Sequence, residues 1–254
     1  MIKKSIIFFV VLSGLLCLFQ IQAYSQAKAT VHLIGGYNYP LGDLRGDFGD
    51  SNVNWSIGKD SLTYLMKSGY SFGFIIKKAY GKNGNFRGTA NVNFSLFSQS
   101  GHYEYPNVIT DIELQINILS IAAGAEWAFA PKKSKVNPFV GVEFGLNFFS
   151  GSLTGTDDFQ DTTDDRSSTL NMKPSIRFGV QIGGGVDYQI HQSVGFIAGV
   201  KYNWANVLGK KFTKDNSSEY GLNDEEHQSG TYTRPARNIT FLQIYGGLSY
   251  YFGR

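Results

Sequence analysis

The C-terminal segment of the chain, residues 238–252, alternates two kinds of side chain almost without a break. Its first face carries Thr240, Leu242, Ile244, Gly246, Leu248, Tyr250 and Phe252. The other face is mixed and includes Gln243 and Ser249. A period of two residues is the pattern of a β-strand whose two faces meet different surroundings. Earlier segments of similar length repeat the pattern, so the sequence predicts an all-β chain.

Eight segments carry this alternation, and each is long enough to cross a bilayer, which takes about 9 to 11 tilted strand residues. They are residues 29–39, 70–80, 86–98, 111–129, 138–150, 174–188, 194–206 and 238–252. Short connections (81–85, 130–137 and 189–193) alternate with long ones (41–69, 99–110, 151–173 and 207–237). This asymmetry is typical of bacterial membrane barrels. We therefore predict an eight-stranded antiparallel up-and-down transmembrane β-barrel with short periplasmic turns and long extracellular loops.

The outward positions assigned in the predicted strands, for example Phe72, Phe74 and Ile76, carry no charged residue. A charge there would cost about 2 to 4 kcal/mol at the bilayer midplane, so its absence favours a lipid-facing exterior over a soluble barrel. In the fourth segment the apolar face changes parity, from Ile116 and Ile118 to Ile121 and Ala123. An inserted residue has this effect, so we expect a β-bulge near Leu119.

The inward faces collect polar and charged side chains. The ionisable ones are Lys77, Arg87, Glu126, Glu143, Arg177, Asp187 and Lys201, beside His32, Asn91, Asn93, Gln115, Asn117, Gln181 and Gln243. The interior of an eight-stranded barrel is just wide enough for side chains to fill it. Four cations against three anions therefore predict a salt-bridged network that plugs the lumen. A pore lined by these groups is the alternative.

The N-terminus has the three parts of a secretory signal peptide. Lys3 and Lys4 precede the apolar run 6–19, and small residues follow at 23–25. A helix needs about 20 apolar residues to span a bilayer, and this run of about 14 is too short. We expect cleavage after Ser25, giving a signal peptide over 1–25 and a barrel domain over 26–254.

The composition excludes two classes of function for the mature chain. The single cysteine, Cys17, lies inside the predicted signal peptide, so thiol catalysis and disulfides are excluded. Removing Lys3 and Lys4 from the 23 basic residues leaves 21, against 20 acidic residues. A chain so balanced has no electrostatic basis for binding nucleic acid.

The predicted loops hold two groups that could carry chemistry. His102 follows Ser98 and Ser100, and His227 follows Asp224. Hydrolase chemistry would need a histidine within reach of a nucleophile and oriented by a carboxylate, and the spacing does not demand this. The loop containing Asp157, Asp158, Asp161, Asp164 and Asp165 could hold calcium or bridge to lipopolysaccharide phosphates, but it lacks the order of an EF-hand. We predict no catalytic residue, no cofactor and no metal site.

Three short motifs carry a resemblance to a known family. They are Gly-Tyr-Asn-Tyr-Pro-Leu-Gly-Asp at residues 36–43, Asn-Pro-Phe-Val-Gly-Val at 137–142, and Tyr-Tyr-Phe at 250–252. Over nearly all of residues 27–254 the chain resembles the small outer-membrane β-barrel proteins often labelled porin-like, with OmpA-type and OmpX-type barrels as architectural relatives. The resemblance implies outer-membrane residence and insertion by the barrel-assembly machinery, which reads the last strand. This chain departs from the usual terminal aromatic because Gly253 and Arg254 follow Phe252.

These observations favour a structural or surface-interaction role through the extracellular loops. Its expected partners are outer-membrane lipid, lipopolysaccharide and an extracellular partner that the sequence does not identify. A narrow passive channel for ions or small solutes is the alternative, followed by an enzyme at the extracellular rim. A soluble periplasmic barrel with an internal ligand is disfavoured by the uncharged outward faces.

Overall fold

The computed structural model describes residues 29–48, 63–80, 84–105, 108–129, 134–159, 166–214, 218–229 and 232–252. The predicted signal peptide and its cleavage site lie outside these residues. The part of the chain described is all β apart from a single 3₁₀ turn at Gly42–Leu44. None of its helices is long and apolar enough to cross a membrane.

The described residues form twelve strands. In chain order they are β1 (Ala29–Leu41), β2 (Gly69–Tyr80), β3 (Phe86–Tyr105), β4 (Val108–Ala128), β5 (Val136–Phe159), β6 (Arg166–Met172), β7 (Ser175–Gln189), β8 (Val194–Leu208), β9 (Glu219–Tyr220), β10 (His227–Ser229), β11 (Tyr232–Arg234) and β12 (Thr240–Phe252). Eight of them, β1 to β5 with β7, β8 and β12, follow one another around a closed sheet. The other four are short strands on the side of the long connections.

The eight barrel strands close the sheet, and each is antiparallel to both of its neighbours. The first and last strands meet along their full length, from Ala29 opposite Phe252 to Leu41 opposite Thr240. Both ends of the barrel domain therefore lie on the side of the short turns. The predicted eight-stranded up-and-down barrel is confirmed.

The barrel is much taller on one side than on the other. Strands β1 and β12 have 13 residues each, whereas β3, β4 and β5 have 20, 21 and 24. Tyr105 still pairs with Val108 at the tip of the β3–β4 hairpin, and Asp157 pairs with Arg166 between β5 and β6. Most described residues of the long connections predicted over 99–110 and 151–173 are therefore strand, because hydrogen bonding to a neighbouring strand continues above the membrane. We call this extension, formed by β3 to β6, the raised wall.

The predicted bulge near Leu119 is also wrong. Strand β4 keeps one register with β3 from Trp127–Phe86 to Val108–Tyr105, and one register with β5. Ile116 and Ile118 are 1% and 0% exposed, so they face inward.

The parity of the apolar face changes because the surroundings of the strand change. Lipid covers the outside of the lower half, whereas the upper half has water outside and an apolar filling inside. Gln115 and Asn117, predicted to lie inside, consequently lie on the outer face. A register shift does occur between β7 and β8, where Phe178 pairs with Leu208 and Val180 with Trp204.

The lower half of the outer surface is a continuous apolar belt. Its strongly exposed side chains include Leu33, Phe72, Phe144, Phe178, Ile182, Phe196, Ile244 and Leu248. Aromatic rings border it at both levels, with Tyr37, Tyr39, Tyr70 and Trp204 towards the long loops and Trp127, Tyr188, Tyr250 and Phe252 towards the short turns. Aromatic girdles around an apolar band define the lipid contact of a membrane barrel.

The continuous register of β4 can be tested with two neighbouring substitutions. We expect Ile116→Lys to destabilise the barrel by several kcal/mol, because it places an unpaired charge in an apolar interior. Asn117→Lys points to water above the belt and should change the unfolding free energy by less than about 0.5 kcal/mol. The measurement is urea unfolding of the refolded barrel in detergent micelles, followed by gel mobility with and without heating. A bulge at Leu119 would reverse the order of the two variants.

Candidate functional site

The lower half of the barrel interior holds a compact group of ion pairs. Lys77 on β2 lies between Glu126 on β4, at 3.1 Å, and Asp187 on β7, at 3.3 Å. Arg87 on β3 contacts the same two carboxylates and donates from Nη1 to Asp187 Oδ2 at 2.6 Å. Four strands are therefore joined across the lumen by one group of charges.

A second ion pair lies in the same half of the lumen. Lys201 Nζ on β8 donates to Glu143 Oε2 on β5 at 2.6 Å. Asn91 donates to Glu143 at 3.3 Å and to Gln181 at 3.1 Å, which connects this pair to β3 and β7. Lys77, Arg87, Glu126, Glu143, Asp187 and Lys201, here called the lower network, are each at most 9% exposed.

Strand parity and glycines place these side chains. Inward positions recur at every second residue, which brings Lys77, Arg87 and Glu126 to the lumen from three consecutive strands. A Cβ atom on Gly141 would lie 2.7 Å from the Cβ of Glu126, and one on Gly183 would lie 2.7 Å from Cγ of Lys201. The glycines thus leave the space that the long charged side chains occupy.

The lower network balances its own charge and fills its space. It contains three cations and three anions, and Lys77 Nζ also lies 3.5 Å from the centre of the Phe139 ring. The void between Glu126, Glu143 and Lys201 has a volume of only about 20 Å³, enough for about one water molecule. A void of this size holds no chain of water molecules between these three side chains.

Arg177 lies apart from the other six predicted charges. Its guanidinium holds Asp224, with Nη2 at 2.7 Å from Oδ1 and Nε at 2.9 Å from Oδ2. Asp224 belongs to the connection between β8 and β12, and it is completely buried. This long connection therefore returns into the barrel mouth instead of extending away from it.

Several further hydrogen bonds hold the returning segment in place. Asn206 donates to Asp224 Oδ2 at 2.9 Å, and the backbone amide of Lys211 donates to Oδ1 at 3.1 Å. Arg237 donates to the carbonyls of Leu222 and Asn223 at 2.9 and 2.7 Å. Its guanidinium carbon lies 4.1 Å from the centre of the Tyr64 ring, which comes from the connection after β1. Tyr64 in turn donates to the Leu222 carbonyl at 2.9 Å. We call residues 218–229, with Arg237, the mouth segment.

Apolar side chains fill the barrel above the lower network. They are Leu44, Tyr64, Met66, Phe97, Ile116, Ile118, Phe149, Met172, Ala205, Leu222, Ile239 and Phe241, here called the upper plug. The strands contribute most of them, for example Phe97 and Phe241, whose rings meet edge to face at 5.2 Å. The two long connections contribute the rest. The upper plug closes the extracellular end with a hydrophobic core.

Burial and hydrogen bonding act in opposite directions on Asp224. Burial raises the pKa of its carboxyl group, but the hydrogen bonds from Arg177, Asn206 and the Lys211 amide together hold that pKa below its usual range. Asp224 is therefore ionised at neutral pH and pairs with Arg177 as a charged group.

Asp224 is the functional residue that the sequence interpretation missed. From the sequence, Asp224 is only a possible partner of His227 in rim chemistry. Two signals point to it in retrospect: the predicted interior had one cation more than anions, and Leu222 is an apolar residue within a polar connection. Both are explained if this connection supplies the fourth anion and packs in the barrel mouth.

The two rim histidines differ in their contacts. The ring of His227 stacks on Phe212 at 3.5 Å, and its suggested partner Asp224 is bound to Arg177. His102 Nδ1 lies 2.6 Å from Asp111 Oδ1 on the outside of the raised wall, where both side chains are more than half exposed. Exposure to water weakens the electrostatic stabilisation on which hydrolytic sites depend.

Metal ligands do not cluster in the described part of the chain. No group of three or more His, Cys, Asp or Glu side chains there could hold a metal ion. Asp161, Asp164 and Asp165 of the predicted acidic loop lie outside the described residues. The prediction about that loop therefore remains a prediction.

The closed sheet, the apolar belt and the filled interior define a small eight-stranded barrel of the outer-membrane type. No family model and no curated protein matches the chain. Among solved structures it is similar to Neisserial surface protein A, with a TM-score of 0.43 and 17% identity, over 89% of this chain and 100% of that one. It is also similar to Ail of Yersinia pestis, solved with the heparin analogue sucrose octasulfate, with a TM-score of 0.36 and 10% identity over 89% and 99% of the two chains. The third similar structure is the N-terminal β-barrel domain of Pseudomonas aeruginosa OprF. Its TM-score is 0.33 and its sequence identity 10%, over 89% of this chain and 100% of that one.

The Arg177–Asp224 pair can be tested by removing one charge. We expect Asp224→Asn to destabilise the barrel by about 3 to 5 kcal/mol, because it leaves a buried cation without its counter-charge. The double variant Arg177→Met, Asp224→Leu should recover part of this loss, since an apolar pair leaves no unpaired charge. Unfolding free energies in urea measure both effects. If the losses of Arg177→Met alone and Asp224→Leu alone added up to the loss of the double variant, the pair would not be coupled.

The lowered pKa of Asp224 predicts a pH dependence of the mouth segment. The contribution of this carboxylate is present above the ordinary aspartate pKa of about 3.9 and is lost as the pH falls through the lower folded value. In acid, the mouth segment of the wild type should become sensitive to an acid-active protease. Asp224→Asn should be sensitive at neutral pH already and show no such acid step. A Glu226→Gln variant, altered at an exposed carboxylate in the same segment, should behave as the wild type.

Proposed function

We propose that this chain is an integral outer-membrane protein with a structural or surface-interaction role. In this proposal the barrel is a rigid, sealed support, and the parts above the lipid belt meet partners outside the cell. The apolar belt supports membrane residence, and the raised wall supports an outward-facing role. Lipid, lipopolysaccharide and an extracellular partner are the expected contacts.

The observation that carries this proposal is the double seal of the interior. Charged side chains pair across the lower half, and the upper plug fills the other half. A solute would have to break buried ion pairs and then open a hydrophobic core. Because broken buried pairs leave uncompensated charges, each step would cost several kcal/mol.

Conductance in planar bilayers separates this proposal from a passive channel. We expect the purified protein to give no steady stepwise current. The lower-network variant Glu143→Ala, Lys201→Ala should give none either. A plug variant, Leu222→Ser, Asp224→Ser, should also stay closed, because the lower network remains. Only the combined variant, which loosens both seals, should pass current. A steady wild-type current that changes with Glu143 and Lys201 would establish the channel instead.

Cell fractionation and surface cleavage test the proposed location. We expect the protein in the outer-membrane fraction, with a gel mobility that shifts on heating. A protease site inserted beside Thr233, on β11, should be cut on intact cells, whereas one inserted in the turn 190–193 should not.

An enzyme at the rim is the remaining alternative, and a lipid or peptide turnover that is lost in His102→Ala would support it.

A further inference from the structure

The raised wall has an outer face that differs from the rest of the barrel surface. Among the residues whose side chains the structure describes, the outward ones are Ser98, Ser100, His102, Asp111, Glu113, Gln115, Asn117, Ser150, Ser152, Thr154, Thr156, Ser167, Thr169 and Asn171. We call this set the outer polar wall. Hydroxyl and amide groups dominate it, two carboxylates lie within it, and the set contains no lysine or arginine.

The outer polar wall begins where the lipid belt ends. Tyr37 and Tyr70, both in the upper aromatic girdle, are paired, and Tyr70 pairs with Leu96, an exposed apolar residue of β3. Leu96 pairs with Asn117, and Asn117 pairs with Ser150, where the polar surface starts. The wall rises directly from the membrane surface and faces sideways. Its nearest neighbours are therefore the head groups of the surrounding outer leaflet.

A groove crosses this wall. It has a volume of about 330 Å³ and is lined by Ser100, His102, Asp111, Glu113, Thr154 and Thr156. This volume lies at the lower end of the range of about 300 to 1,000 Å³ for small-molecule sites. One sugar ring with its substituents is a ligand of suitable size.

Hydrogen bonds fix the side chains in and beside the groove. His102 contacts Asp111 at 2.6 Å, Gln115 donates to Glu113 at 2.7 Å, and the Thr154 hydroxyl lies 3.2 Å from that of Thr169 on β6. All of these residues stand on paired strands, which restricts the backbone as well. Such a surface loses little conformational entropy when it binds a ligand.

The chemistry of the groove distinguishes between possible head groups. A carboxylate is an acceptor with about four lone-pair positions and suits a ligand that offers several hydroxyl donors. The carboxylates of Asp111 and Glu113 would repel a phosphate, and the outer polar wall holds no lysine or arginine to compensate. The wall therefore fits an uncharged, hydroxyl-rich group.

We infer that the groove on the outer polar wall binds the saccharide part of a glycolipid anchored in the outer leaflet beside the barrel. Asp111 and Glu113 accept hydrogen bonds from sugar hydroxyls, and the threonine and serine hydroxyls complete the contact. Because ligand and groove are held in one membrane, weak individual contacts suffice. This inference rests on the proposed outer-membrane location and names a partner for the raised wall.

Cysteine protection provides the test, because Cys17 of the predicted signal peptide is the only native cysteine. The barrel carrying Ser100→Cys, or Thr233→Cys on β11 as the control, is placed in nanodiscs with a water-soluble maleimide. We expect lipopolysaccharide with its core saccharide to slow modification at position 100 at least fivefold relative to lipid A alone. The rate at position 233 should stay within twofold. Adding Glu113→Ala should abolish most of the protection at position 100, whereas adding Glu226→Ala should not.

Three results would overturn the inference. Equal protection by lipid A alone would assign it to the lipid or its phosphates. Protection that disappears when a chelator removes divalent cations would indicate cation bridging to phosphate. Equal protection by the same concentration of free core oligosaccharide would identify a soluble saccharide as the ligand. None of these results would alter the closed state in planar bilayers or the surface cleavage at β11, so the proposed function is tested separately.

Discussion

The free energy of an unpaired charge in an apolar environment is the constraint on which this structure depends. Lipid surrounds the lower half of the barrel, so side chains that face the hydrocarbon must be apolar and charges at that depth must face inward. Inside, each charge must find a partner, because burial in a low dielectric makes an unpaired ion unstable. The lower network satisfies both requirements with three cations and three anions.

Above the belt the same constraint gives the opposite arrangement. Water now contacts the outside of the raised wall, so its outward side chains are polar, and the inward ones pack as the hydrophobic core of a soluble domain would. The Arg177–Asp224 pair lies at the mouth, where it connects β7 to the segment that completes the core. Much of the connection between β8 and β12 is therefore committed to closing the barrel. The outer polar wall is left as an ordered surface through which the protein can meet a ligand.

Sequence reasoning succeeded wherever one environment covered a whole strand. In β2, β5 and β8 the two-residue period has a single phase within the bilayer, so faces could be assigned and residues such as Lys77, Glu143 and Lys201 placed in the lumen. It failed in β4, where the phase changes between Ile118 and Ile121 without any inserted residue. The partner of Arg177 could not be derived either, since Asp224 is 47 residues away in a connection with no period. Only the excess cation in the predicted interior indicated that an anion had to come from elsewhere.

The change of the apolar face in β4 has a different cause from the one that the bulge hypothesis assumed. Three neighbouring strands change from apolar to polar on the outside at nearly the same level. The change falls between Leu119 and Asn117 of β4 and between their partners Phe148 and Ser150 of β5, and one pair higher, between Leu96 and Ser98, in β3. A bulge in one strand would shift that strand alone relative to its neighbours. A change shared by three paired strands must instead come from their common surroundings. Some strands are longer than the bilayer is thick. Where the apolar residues of such a strand change from the outward to the inward face, the strand therefore leaves the lipid, and the position of the change locates the membrane surface to within about two residues.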